Sequence, residues 1–391
     1  MKISKKQLVS IFVCSLIPWT VGNGLLPLLP VYAERLGANA IMAGAYLAVT
    51  YLAIAIGAFF AGWISGTRLR RKIPIVLIIL ISSPPAWMIG RVDRLWALTL
   101  LTALLWFFAG MGLALISILT GLSIGEGERG KIFGILALAS GLGSIIGGFG
   151  TGWLVKHWGY SAMFNSIAIF LLLGPFSALF LEEKEDKPSG GEQAPLPESK
   201  SLGRLYYLLF TASIIISIGG FVTVLLRSLS MNKLGFDPLE ISSTVVIGGL
   251  ISLPLPFLLG WLSDRIDRKW VLFFGYLLSI AGLLTLSVSR ELWHFWMVSA
   301  IGGIAVGCNS AVGNALVTDL VPHPSLGKGL ALFSATSWVG GVIGFALGGI
   351  LLQSLDLVIT CRIAASLGLV AVGLLIPIRV KQEGAEQTLR P

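Results

Sequence analysis

Apolar residues gather into twelve long runs separated by short polar segments: 7–31, 40–65, 73–90, 95–122, 132–155, 160–181, 205–230, 241–262, 270–289, 293–318, 329–353 and 357–378. A helix needs about 20 residues to cross a hydrocarbon core of about 30 Å, and each run approaches or exceeds that length. Ten of the twelve contain no Asp, Glu, Lys or Arg; the exceptions hold Arg227 and Arg362. Backbone groups facing lipid must pair within their own segment, and barrel strands would be shorter and would alternate. The pattern therefore predicts an all-α integral membrane protein of twelve transmembrane helices.

Composition agrees, with 55% hydrophobic and only 12% charged residues, about half the charged fraction of a soluble domain. The start, MKISKKQLVSIFVCSLIPWTVGNG, has a basic head like that of a secretory leader. No small-residue cleavage site follows a short apolar core, so the segment is read as the first span. The net charge of +9 could suggest nucleic acid, but its distribution points elsewhere. An even number of spans puts both termini on one side, and that side then holds 20 of the 28 Lys and Arg residues. By the positive-inside bias it is cytoplasmic, which places the chain in the cytoplasmic (inner) membrane with both ends inside. Cys14, Cys308 and Cys361 are isolated within apolar runs, in no spacing that implies a metal, a cofactor or a disulfide.

One long hydrophilic segment, EEKEDKPSGGEQAPLPESKSLG at 182–203, divides the runs six and six. It reads as a flexible cytoplasmic linker. The expected units are a bundle over 1–181, the linker, a second bundle over 204–378 and a tail over 379–391. The halves repeat: GWISGTRLRRK from Gly62 returns as GWLSDRIDRK from Gly260, and Leu36-Gly37 returns as Leu234-Gly235. Residues 129–154 and 326–351 share eight identities, among them Ser140/Ser337, Gly143/Gly340, Gly147/Gly344 and Gly152/Gly349. Shared membrane composition would supply roughly two or three.

Two parallel six-span repeats around a linker resemble the major facilitator superfamily. The two glycine-led segments are similar to that family's loop motif, G-x-x-x-D-R-x-G-R-K. GLGSIIGG at 141–148 resembles its fifth-span antiporter motif, with Ser144 where proline is usual. The resemblance implies a secondary transporter that rocks two bundles about a central site. It implies a conformational latch made of Gly62, Arg70, Gly260, Asp264 and Arg268. Gly66 occupies the acidic position of the first copy, so Asp264 alone would carry the contact, near Arg129 and Lys131 at the start of span 5. The alternative is a pair of basic turns that only set topology. Gly143, Gly147, Gly340 and Gly344 recur at helical spacing, as static packing positions or as a sliding interface.

The resemblance places spans 1, 4, 7 and 10 around the cavity. Trp19 and Asn23 share a face of span 1, Trp106 lies in span 4, Arg227 in span 7, and Asn309 and Asn314 in span 10. Each amide lines a cavity or bonds to another helix. Arg227 snorkels outward, binds an anionic group or pairs with Glu34. No acidic residue falls near mid-span, so Glu34 is the remaining candidate for ion coupling, and proton coupling has no further support. The motifs of membrane enzymes are missing: no HExxH occurs, and His157, His294 and His323 are far apart.

The expected function is export of a small amphipathic or hydrophobic solute by a monomer in the lipid bilayer, without cofactor or nucleic acid. The alternatives are a carrier of an anionic metabolite or lipid, using Arg227, and a receptor or scaffold on the same fold.

Overall fold

The computed structural model describes residues 4–65, 72–123, 129–181, 202–263 and 265–378. Among them the helices are α1 (Lys5–Leu25), α2 (Leu29–Arg35), α3 (Ala40–Ser65), α4 (Lys72–Ile89), α5 (Leu95–Ser123), α6 (Arg129–Leu171) and α7 (Leu173–Ala178). The second half holds α8 (Arg204–Lys233), α9 (Pro238–Ser252), α10 (Leu255–Ser263), α11 (Arg268–Val288), α12 (Leu292–Gly307), α13 (Gly313–Leu320), α14 (Leu326–Ser354) and α15 (Leu357–Leu375). One π-turn at Cys308–Val312 joins α12 to α13.

Among the described residues ten segments are long and apolar enough to cross a membrane, or eleven when α9 and α10, bent by 43°, count as one. At 1.5 Å per residue, α6 is about twice as long as a bilayer core requires. It is interrupted at Gly159, whose φ of 78° suits glycine and breaks the helix.

Local signals in the sequence explain the ends. Asp237 caps α9 with a reciprocal pair: its Oδ1 accepts from the N–H groups of Leu239 and Glu240 at 2.8 and 2.9 Å, and Glu240 accepts from the Asp237 N–H at 2.8 Å. Asp356 caps α15 through the Ile359 N–H. The repeated Leu-Gly pairs end α2 and α8, and Gly37 and Gly235 share a φ of 85°. Exposed Trp63, Trp261 and Trp270 ring one end of the bundle, and Trp87, Trp96, Trp158 and Trp293 ring the other, as interfacial belts do. We call the end where α1 begins and α15 ends the base and the opposite end the rim.

The halves meet along two seams, α3 against α14 and α6 against α9. Glycines allow the approach. A Cβ on Gly44 would lie 2.9 Å from the Gly349 Cα, and one on Gly249 would lie 2.7 Å from the Gly141 carbonyl oxygen. Among the described residues three polar ties cross the rim. Asn232 donates to Glu34 Oε2 at 2.7 Å, Lys156 pairs with Asp237 at 2.7 Å, and the Ala40 N–H donates to Gln353 at 3.2 Å. Towards the base the second seam parts. Gly141 is the α6 glycine nearest the base to meet the second half, against Ser252 and Leu253; a Cβ on Gly134 would meet nothing within 4 Å, and α10 packs into its own half through Leu255 and Leu259.

Candidate functional site

A cavity of about 90 Å³ lies between the halves, almost wholly against the first. Its roof at mid-depth is aromatic. The Tyr51 ring lies 5.3 Å from Trp106, 4.8 Å from Phe221, 4.9 Å from Phe345 and 6.2 Å from Trp338. Tyr51, Trp106 and Trp338, from α3, α5 and α14, line the cavity, so the roof spans both halves, and Phe221 and Phe345 back Tyr51 from the second half. Below it the wall descends along Ile54, Ile78, Leu113 and Ile116 towards Cys14 near the base.

Of the residues singled out in the sequence, Trp19, Asn23 and Trp106 line this cavity. The Trp106 Nε1 is buried and has no hydrogen-bond partner among the described residues. Asn23 bonds to α6: its Nδ2 donates to Ser144 Oγ at 2.8 Å and to the Ser140 carbonyl at 3.3 Å. Lining a cavity and bonding a neighbouring helix are not exclusive here, because Asn23 does both.

The second half behaves differently. Asn309 Oδ1 accepts from the Tyr276 hydroxyl at 2.9 Å and from Ser213 at 3.2 Å, and the Ser213 hydroxyl meets that of Thr336 at 2.9 Å. This knot ties α8, α11 and α14 to the π-turn. Asn314 donates to the Ser310 carbonyl of its own helix at 2.6 Å. Arg227 neither snorkels nor meets Glu34; it is buried and donates to Ser299 within its own half, away from the cavity wall. Glu34 bonds to Asn232 instead. Burial pushes the Glu34 carboxyl above its ordinary value, and the Asn232 hydrogen bond offsets this only partly. At Asp237 burial also raises, but Lys156 and the cap N–H groups outweigh it, leaving the carboxyl below its ordinary value.

Gly143 and Gly147 face α1 of their own half, against Trp19, Thr20 and Gly24, and Gly340 and Gly344 face α8. These four are packing positions within each half. Glycines between the halves include Gly44, Gly141, Gly148, Gly152, Gly249, Gly341 and Gly349. At Gly62 and Gly260 a Cβ would meet nothing within 4 Å. Arg70 and Asp264 lie outside the described residues, as do Gly66 and most of 182–203. Arg268 bonds to Asp319 at 2.7 Å and to the Ala315 carbonyl, inside the second half.

Two residues of the structure were not singled out in the sequence. Tyr51 sits in a run whose other aromatics include both buried Tyr46 and exposed Phe59, so nothing local marked it as a roof. Asn232 could have been found through the repeat, since it lies 198 positions after Glu34, the offset that also relates Gly62 to Gly260.

The chain is 28% identical over 299 residues to the multidrug resistance protein MdtG of Klebsiella pneumoniae (strain 342), covering 72% of this chain and 71% of that protein. It is 24% identical over 348 residues to MdtG of Salmonella heidelberg (strain SL476), covering 85% of each. Among solved structures it resembles the nucleoside transporter NupG, with a TM-score of 0.74 at 15% identity over 94% of this chain and 98% of that one. It resembles the POT family transporter PepTSo at 0.77 and 11%, over 96% and 97%. The profile of the Major Facilitator Superfamily matches residues 9–230 and again 208–390. With both halves matched by one profile and packed around a common cavity, the chain belongs to the Major Facilitator Superfamily and is a multi-pass membrane transporter.

Proposed function

We propose that the protein exports small amphipathic or hydrophobic solutes across the cytoplasmic membrane by alternating access. The observation that carries this is the cavity: apolar and aromatic walls, no charged lining residue, a roof built from both halves, and a floor towards the base. Such walls suit apolar ligands with few polar groups. The multidrug resistance relatives support the same direction of transport. With α6 divided at Gly159 and α9–α10 taken as one broken span, the helices make twelve, in bundles of 1–181 and 204–378.

The excess of Lys and Arg at the base puts that end in the cytoplasm. The arrangement described is therefore inward-facing, with the rim sealed by the two glycine seams and three polar ties. Opening the rim separates Gly44 from Gly349 and Glu34 from Asn232 while the base closes, and Asp264 is the group to latch that closed base onto the start of α6. A rocking motion suits this construction, because the polar ties that must break lie at one end. Flux of a panel of amphipathic dyes in proteoliposomes tests the reading, with and without an imposed pH gradient. Directional, saturable dye movement is expected; dyes that bind without moving would make the protein a receptor. A gradient-dependent rate would assign a proton as coupling ion, with Glu34 the first residue to examine.

A further inference from the structure

Ser144 stands where the family's fifth-span motif has proline, and the structure gives that departure a partner. The Ser144 hydroxyl donates to the Ser140 carbonyl at 3.0 Å. Its proton is thus committed, and a lone pair is left to accept from Asn23 Nδ2 at 2.8 Å. The second Asn23 amide proton points to the same Ser140 carbonyl at 3.3 Å, an oxygen that can only accept. Two independent contacts therefore fix which way the Asn23 amide lies, with nitrogen against α6 and Oδ1 away from it.

Oδ1 accepts no hydrogen bond among the described residues, and it is not one of the buried polar atoms left without a partner. It is consequently reachable from open space, and the open space beside Asn23 is the cavity. The surrounding wall is mostly hydrocarbon and aromatic carbon, with the Tyr51 hydroxyl and the Trp106 Nε1–H among its other polar groups. The Ser82 hydroxyl, also on that wall, is spent on the Ile79 carbonyl of its own helix. An acceptor held at fixed orientation on a mostly apolar surface, where the Trp106 Nε1–H can only donate, selects for a ligand proton.

We infer that Asn23 is a specificity residue, oriented by Ser144, that presents its carbonyl oxygen to the cavity and selects apolar ligands carrying a neutral hydrogen-bond donor, such as a phenolic hydroxyl or a secondary amide. Ser144 acts here as a positioning residue. A proline at 144 would have neither the hydroxyl nor the hydrogen bond, so the serine follows from the amide it steers. This rests on the reading of the cavity as the solute site.

The test uses the full chain in nanodiscs and a matched pair of probes, 1-naphthol and 1-methoxynaphthalene, of which only the first carries a hydroxyl proton. Equilibrium dialysis against empty nanodiscs gives specific binding of each, and the ratio of the two affinities is the readout, because a general loss of fold weakens both alike. The wild-type chain prefers the naphthol by about tenfold, the scale of one hydrogen bond in a dry site. Asn23→Leu brings the ratio to that of an unselective apolar pocket while keeping the methoxy compound, and Ser144→Ala lowers it about threefold. Gly112→Leu, which fills the cavity, abolishes specific binding of both. If both probes bind, Gly112→Leu blocks them and the ratio in Asn23→Leu equals that of wild type, the role of Asn23 is overturned while the cavity reading stands. If neither probe binds above empty discs, or Gly112→Leu changes nothing, the cavity reading fails and this inference fails with it.

Discussion

At mid-depth the first half presents Trp19 and Trp106 to the cavity, and at the same register of the repeat the second half carries Ser217 and Gly303. The exchange runs the other way at neighbouring positions. Gly112 and Ile79 line the cavity, whereas their counterparts 197 residues later, Asn309 and Tyr276, hydrogen-bond to each other and to Ser213. One duplicated scaffold has thus been finished in two ways. The first half is a concave apolar wall; the second is a bundle cross-linked through its middle by amide and hydroxyl groups. A fully satisfied buried network stiffens the helices it joins. The difference assigns ligand contact mainly to the first half and rigid-body movement mainly to the second.

Exchanging the two finishes breaks this comparison most sharply. Gly112→Leu places four carbons in the cavity, where the nearest neighbour of an added Cβ is the Ile78 side chain at 3.7 Å. It is expected to lower dye flux at least tenfold while leaving the melting transition of purified protein near that of wild type. Asn309→Leu is expected to do the reverse. It strands the Tyr276 hydroxyl and costs about 1–3 kcal/mol of stability, read as a clear fall in melting temperature with flux per folded molecule largely kept. Equal effects of the two changes on both readouts would remove the distinction.

A smaller effect sharpens the comparison at the rim, where one repeat position holds Glu34 in the first half and Asn232 in the second. Burial in the closed rim raises the Glu34 carboxyl above its ordinary value of 4.5, and opening to water returns it towards that value. The closed rim therefore holds the proton more tightly. Its share rises as pH falls from above the raised value towards 4.5, and that gain is lost as pH rises through the raised value. Glu34→Gln is expected to flatten this dependence and to favour the closed rim a few-fold at neutral pH, measured by accessibility of rim cysteines to a polar thiol reagent. A dependence that survives the substitution would place the titrating group elsewhere.

The fold was legible because it depends on sums over long stretches: run length fixes the spans, and the proposed orientation rests on a sum of the same kind, the basic charge on each side. The repeat was legible because glycines and the Leu-Gly ends meet the same backbone requirement in both halves. The site was legible only in part. Helical spacing put Trp19 and Asn23 on one face, and the family resemblance brought spans 1 and 4, with Trp106, to the cavity. What a face meets is a long-range fact, which is why Arg227 ends against Ser299 and why Gly143 and Gly147 pack within their half rather than between halves. The loop motif held a second such surprise. Lys72 donates to the Leu179 carbonyl at 2.5 Å and Lys269 to the Ile376 carbonyl at 2.6 Å. In each half the motif's last lysine thus ties the start of its third span to the chain end of its sixth. Nothing near either lysine in the sequence points to a carbonyl 107 residues away.

Alternation of the two halves about the cavity is tested most directly by the distance across the rim. Spin labels at Asn39→Cys and Leu355→Cys, in a chain with Cys14, Cys308 and Cys361 replaced by serine, report the separation of the α3 and α14 ends in nanodiscs. The account predicts a short population in the resting protein and a second, longer one whose share changes when a transported dye is added. A single short distance that no transported compound alters would contradict it.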